Sequence, residues 1–167
     1  MIEFLDNIIQ KVINPSKCYD NAIKIGNVLT ATLCEKVLPI MKLMEENTYT
    51  HIPILDDSKI VGVFSENTIF SHVLQDNIME ISDNTIFQDL IKYLPLDNHS
   101  TETFVFIKKN STLNDAEQIF IDSFKRTERI GMMFITENGK NTEKLLAILT
   151  PWDVLGKEQN QKHHNRD

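Results

Sequence analysis

Two uninterrupted apolar runs in this chain end in the same polar signature. Ile60 to Phe64 and Leu145 to Leu149 have the length and character of short buried strands. Ser65-Glu66-Asn67-Thr68 follows the first run, and Thr150-Pro151-Trp152-Asp153 follows the second. Ser65 and Thr150 stand where a helix N-cap belongs. Pro151 takes the first helical position, where its missing N–H costs nothing, and Asp153 falls where it can reach back to the cap. Each run therefore predicts a strand, a sharp turn and a helix whose free N–H groups face outward. Such an end carries partial positive charge and suits an anion.

The duplication extends upstream. Thr32-Leu33 and Thr112-Leu113 lie 80 residues apart, as do Pro53-Ile54-Leu55 and Met133-Phe134-Ile135, counted directly along the sequence. The second copy has extra residues in its turn, between Glu137 and Glu143. Elements follow from the periodicity. Met1 to Ile13 predicts an amphipathic helix with Leu5, Ile8, Ile9, Val12 and Ile13 at helical spacing, ended by Asn14-Pro15. Ala22 to Ile25 predicts a strand. Thr32 predicts the cap of a helix from Leu33 to Asn47, which Pro39 should kink or shorten. Strands are expected at Ile52–Leu55 and Ile60–Phe64, with a turn at Asp56-Asp57-Ser58-Lys59 between them and a helix from Glu66 to Leu74 after. The connecting stretch predicts one helix, from Asn84 or Thr85 to Tyr93, with Ile86, Leu90 and Ile91 inward. His99-Ser100-Thr101-Glu102 reads as a solvated turn. Thr103–Ile107 and Gly131–Ile135 predict strands. Ser111 or Thr112 caps a helix running to Arg126, with Leu113, Ala116, Ile119, Phe120 and Phe124 apolar.

Composition narrows the function. In 167 residues, 41% hydrophobic, a sizeable core can form. The net charge of −7 argues against a nucleic-acid partner and against a polybasic membrane anchor. The apolar runs are too short to span a bilayer, and Glu3 and Asp6 interrupt what would be a signal peptide. Cys18 and Cys34 have no metal or redox spacing and predict free thiols in a reducing, cytoplasmic setting. His163 and His164 sit in a polar tail that makes no fixed metal site. No nucleophile–base pair, metal cluster or phosphate-cradling glycine loop is legible, so catalytic residues are none and no enzyme activity is expected.

The segment Thr50-His51-Ile52-Pro53-Ile54-Leu55-Asp56-Asp57, followed by Ile60-Val61-Gly62-Val63-Phe64-Ser65, resembles the cystathionine β-synthase (CBS) domain. That family shows an apolar-Pro strand, an acidic turn, and an apolar-Gly-x-x-Ser/Thr-x-x-Asp motif. Leu145 to Asp153 is similar, with Ala147 in place of the glycine. The resemblance implies an α/β fold of two CBS-type β-α-β-β-α repeats related by a pseudo-twofold axis, preceded by the N-terminal helix. The organisation expected is a helix and linker over residues 1–21, a first repeat over 22–75, a linker with a helix over 76–102, a second repeat over 103–157 and a tail over 158–167.

Such pairs form two clefts that commonly take adenosyl ligands. Carried over by position, Thr150 and Asp153 serve one site with Ile130, Gly131 and Met132 along its adenine wall. Ser65 and Thr68 serve the other, with Thr50, His51 and Ile52 along its wall. Arg126 and Arg129 are candidate phosphate holders. Thr68 in place of the acidic residue makes diol binding weaker in the first half, and Met133 is read as replacing the strand's proline in the second. The function implied is a non-catalytic module that senses AMP, ADP or ATP and signals to an effector protein, with no required cofactor. Cyclic di-AMP, S-adenosylmethionine or ligand-free assembly are the alternatives, and a homodimer is expected.

Overall fold

The computed structural model describes residues 15–69, 81–99 and 101–155. The predicted N-terminal helix, the continuation of the Glu66 helix beyond residue 69, and the His163-His164 tail lie outside these residues. The chain divides into two compact units, Val28–Thr103 and Met1–Asn27 with Phe104–Asp167.

In the first unit the sheet has the order β2-β3-β4, formed by β2 (Ala31–Thr32), β3 (His51–Asp56) and β4 (Lys59–Ser65). The β2–β3 pair is parallel and β3–β4 antiparallel. Asp57 and Ser58 both have positive φ (45° and 65°), as a tight two-residue hairpin requires. Helix α2 (Val37–Asn47) lays Val37, Ile40 and Met44 on Ile52, Ile54 and Phe64. Phe87, Leu90 and Leu94 close this core from the segment beyond the sheet.

Helix α2 begins four residues later than the Thr32 cap predicts. Thr32 does form a cap-like box, its N–H and hydroxyl both donating to a Glu35 carboxylate oxygen at 2.6 and 3.0 Å. The backbone of 33–37 is held elsewhere, however. Gln88 N–H donates to Leu33 O (2.8 Å), Phe87 N–H to Glu35 O (3.1 Å) and Val37 N–H to Thr85 O (3.0 Å). The helix therefore starts two residues before Pro39, which lies in the first turn where no N–H is required.

The same pairing explains why 84–93 is no α-helix. It forms only the 3₁₀ turn Phe87–Leu90, whose three-residue period turns Phe87 and Leu90 inward. Ile91 is exposed rather than inward, and Ile86 only half-buried.

In the second unit the order is β1-β7-β6-β5, from β1 (Ile23–Lys24), β5 (Thr103–Lys108), β6 (Ile130–Thr136) and β7 (Ala147–Leu149). Among the described residues three helices accompany it: α1 (Cys18–Asn21), α3 (Leu113–Lys125) and α4 (Pro151–Leu155). Thr112 caps α3 as predicted, accepting from Asp115 N–H (3.2 Å) while Asp115 accepts from Thr112 N–H (2.8 Å). Ala116, Phe120 and Ser123 are the buried face of α3. Phe124, predicted inward, is 84% exposed, because Ser123 takes the inward place one position earlier.

The strand predicted at Ala22–Ile25 forms as β1, but not in the sheet of the repeat assigned to it. It pairs antiparallel with β7 (Ile23 with Ile148, Lys24 with Ala147), and Ile25 N–H donates to Leu146 O at 3.0 Å. The first unit fills the corresponding edge from its own later segment, with Val63 N–H donating to Leu94 O at 2.8 Å. Residues 16–18 likewise bond to 111–113, as 85–88 bond to 33–37. Each motif-bearing strand is thus met along its open edge by a segment of its own unit, the two-residue β1 beside β7 and the non-strand backbone at Leu94 beside β4.

Candidate functional site

The turn after β4 is a buried neutral box. Ser65 is 1% and Thr68 2% exposed; Ser65 N–H donates to Thr68 Oγ1 (3.0 Å), and the two hydroxyl oxygens lie 3.3 Å apart. Residues 66–69 are helical. The turn after β7 is a charged, half-exposed box. Thr150 N–H (2.8 Å) and hydroxyl (2.7 Å) both donate to Asp153 Oδ2. Similar boxes stand at Thr112–Asp115, Thr32–Glu35 and Ser82–Thr85. The local geometry by itself is that of a helix cap. What distinguishes Ser65 and Thr150 is that each joins the second strand of an antiparallel pair directly to a helical turn.

Register identifies the neighbours. His51 pairs with Ser65 and Ile52 with Phe64, while Met133 pairs with Leu149. Since Phe64 and Leu149 hold the same place before the motif, the counterpart of Ile52 is Met133, one residue out of step with the offset of 80. Phe134, rather than Met133, therefore occupies the place of Pro53. Met132 corresponds to His51. The cause is burial: Ile52 and Ile54 in one half, and Met133 and Ile135 in the other, must face their own helices.

Several residues proposed as adenine walls have their side chains in the core. Ile52 is 0% and Ile130 5% exposed, each within its own core cluster, and Met132 is 4% exposed. Gly131 is half-buried. A ligand could meet Ile52 and Ile130 only through the backbone. Arg126 is ion-paired with Glu128, whose Oε2 lies 3.1 Å from the guanidinium Nη2. Arg129 is exposed and borders a cavity of about 810 Å³ that is also lined by Phe120, Phe124, Lys125 and Ile130. The second unit thus gathers Arg129 and Ile130 at one cavity, while Thr150 and Asp153 are held together by their own box.

The first unit contains an ionic cluster that the sequence reading missed. Glu102 is 3% exposed, far from the solvated turn expected of 99–102. Its Oε2 lies 2.7 Å from His51 Nε2, and its Oε1 lies 3.6 Å from His99 Nδ1. The latter is too long for a hydrogen bond but close enough for attraction, and among the described residues Oε1 has no hydrogen-bond partner. His99 Nε2 in turn lies 3.4 Å from Leu94 O. Asn67 reaches across to Thr101 at 3.0 Å. Burial by itself would raise the Glu102 carboxyl, but the contacts with His51 and His99 outweigh it and hold the group well below the usual carboxylate range. His51 also meets Thr50, with Nδ1 and Oγ1 2.7 Å apart. The spacing of three between His99 and Glu102 is legible in the sequence, but Glu102 reaches His51 only because the chain returns past the start of β3.

Cys18 is buried and unpaired, with Sγ–H donating to Thr112 O at 3.0 Å; Cys34 is exposed and unpaired. Burial and the nearby Asp115 charge push the Cys18 thiol up to about 11, so it is not a nucleophile at neutral pH. Among the described residues no group of three or more His, Cys, Asp or Glu is arranged to hold a metal ion, and no helix is long and apolar enough to cross a membrane.

Comparison with known proteins agrees with the fold. The CBS domain family model matches residues 35–75. No curated protein sequence matches the chain. The crystal structure of CbpB in complex with c-di-AMP is similar at a TM-score of 0.67 and 14% identity, over 98% of this chain and 97% of that one. CBSX2 in complex with AMP is similar at 0.60 and 19%, over 88% and 98%. A putative acetoin utilization protein (AcuB) from Vibrio cholerae is similar at 0.59 and 17%, over 90% and 98%. Residues 35–75 match the CBS domain family, and the chain as a whole shares the fold of solved CBS-domain proteins.

Proposed function

We propose that this protein is a regulatory module that binds an adenine nucleotide and passes its occupancy to a partner protein. The observation that carries this reading is the repetition of one strand–turn–helix unit, ending at Ser65 in one sheet and at Thr150 in the other, in a chain whose first copy matches the CBS family. A cap needs no such duplication. Asp153 suits a ribose, because a carboxylate accepts from two adjacent hydroxyls, and Thr150 and the α4 N–H groups suit a phosphate oxygen. The solved relatives supply the ligand class, since one holds AMP and another c-di-AMP. The c-di-AMP complex covers nearly the whole chain, which makes a cyclic dinucleotide the second reading. A second copy of the chain is the proposed cover for Phe124 and Ile121, which α3 leaves exposed.

Calorimetric titration with AMP, ADP, ATP, S-adenosylmethionine and cyclic di-AMP tests the proposal. Micromolar binding of an adenine ligand is expected, about tenfold weaker in Asp153→Asn, near 1.4 kcal/mol. If no adenine ligand binds, the sensor reading fails and an assembly module remains. If Ser65→Ala loses binding while Asp153→Asn keeps it, the working site lies in the first half.

A further inference from the structure

Helix α3 carries an apolar strip on its solvent side. Phe124 is 84% and Ile121 41% exposed, and both line the cavity of about 810 Å³ that Phe120 and Ile130 also border. The stretch of chain able to reach this cavity is tied to the other end of the same helix. Ser16 O accepts from Leu113 N–H and Cys18 N–H donates to Ser111 O, both at 2.8 Å. Asn14-Pro15 precedes that anchor, and the residues before Asn14 are the predicted amphipathic helix. Helix α3 is thirteen residues long, as are residues 1–13, so at about 1.5 Å per residue each spans about 20 Å. Laid back from the anchor, the segment runs antiparallel to α3 along its whole length. Leu5 and Ile9 then come level with about residues 122 and 118, on either side of Phe120 and Ile121.

We propose that residues 1–13 seat their apolar side, Leu5, Ile8, Ile9 and Val12, in this cavity against α3 of their own chain. Charge selects the direction. Lys125, Arg126 and Arg129 outnumber Asp122 and Glu128 at the cavity end of α3, whereas Asp115 and Glu117 stand nearer its start. The segment has the reverse order, with Glu3 and Asp6 first and Lys11 later. Antiparallel seating brings Glu3 and Asp6 to the basic end and Lys11 to the acidic one, while parallel seating puts like charges together. The anchor at Ser16 allows only the antiparallel direction within one chain. The same short tether keeps the chain's own segment at high effective concentration beside its seat. The apolar arc is also wider than one contact needs: at about 100° per residue, Phe4 and Ile13 bound it about 180° apart. Its side turned away from α3, with the outward parts of Ile121 and Phe124, is what the second copy proposed above would meet. The seating is independent of the nucleotide reading.

The test is methyl NOE spectroscopy on the full-length protein. NOEs from the Leu5 and Ile9 methyls to those of Ile121 and Ile130 are expected, and they should persist when labelled chain is refolded with a large excess of unlabelled chain. NOEs lost on that dilution assign the cavity to the segment of a second copy and overturn the proposal. Leu5 and Ile9 methyls with no NOE to α3 or β6 overturn it as well. Charge reversal tests the direction. Glu3→Lys and Arg129→Glu should each speed amide exchange in residues 5–12 about threefold, and the two together should restore the parent rate. A pair that exchanges no more slowly than either single variant overturns the antiparallel seating. Phe124→Asp changes an exposed side chain and leaves the core of the second unit intact, so it should fold. It should speed exchange in residues 5–12 about tenfold, through lost apolar contact. Parent-like exchange in Phe124→Asp removes α3 as the seat.

Discussion

In the first half the carboxylate beside the motif is Glu102, which arrives from the segment beyond the sheet and is buried; in the second it is Asp153, which sits on the helix the motif begins and is half-exposed. The difference shows what each placement demands. A buried carboxylate needs charge around it, and Glu102 has an imidazole at each oxygen. A carboxylate at a helix start is already favoured by the N–H groups it faces, so Asp153 needs only Thr150. The strand residues follow suit: the motif's partner in β3 is His51, while its counterpart in β6 is Met132. The backbones differ as well. Gly62 lies against Leu94, where an added Cβ would meet the carbonyl oxygen at 2.4 Å, whereas Ala147, in the same place of the repeat, pairs with β1 and keeps its methyl fully buried.

That last contrast yields the largest expected effect. Gly62→Ala should cost about 3 kcal/mol, because the clash is with backbone rather than a movable side chain. Ala147→Gly should cost only about 1 kcal/mol through added backbone freedom. Chemical denaturation of both variants decides it, and equal losses would mean the two edges are built alike.

Removing the buried charge ranks next. Glu102→Ala should cost about 2 kcal/mol, because it takes away the buried acceptor that the His51 and His99 rings face. The pH dependence has a fixed sign. The carboxyl is depressed in the folded state, so its contribution is present above the unfolded value of about 4.3 and is lost as pH falls through the folded one. The stability gap between the parent and Glu102→Gln should therefore shrink below about pH 4.3. A gap constant from pH 7 to pH 3 would show that the carboxylate charge is not what the cluster holds.

The smallest effect separates the two helix starts. Thr112 caps α3 directly, so Thr112→Ala should lose about 1 kcal/mol. Thr32 lies in β2 and caps no helix, so Thr32→Ala should lose less than about 0.5 kcal/mol. Thermal melts of the pair suffice, and a larger loss at Thr32 would restore it as the cap of α2.

The chain's own pattern determined much of this molecule. The repeated run-and-cap units, the β3–β4 hairpin and the capped α3 follow from apolar periodicity and local hydrogen bonding, which a sequence displays because the interacting residues lie within a few positions of one another. Tertiary structure decided what depends on distant segments meeting. The late start of α2 comes from 85–88 taking the backbone groups of 33–37. The placement of β1 comes from an open edge of β7, more than a hundred residues away. The one-residue slip that makes Met132 the counterpart of His51 follows from which side chains each core must bury. Glu102 joins His51 and His99 only once the sheet has formed, because burial and ionic pairing depend on separation in space, which residue spacing does not encode.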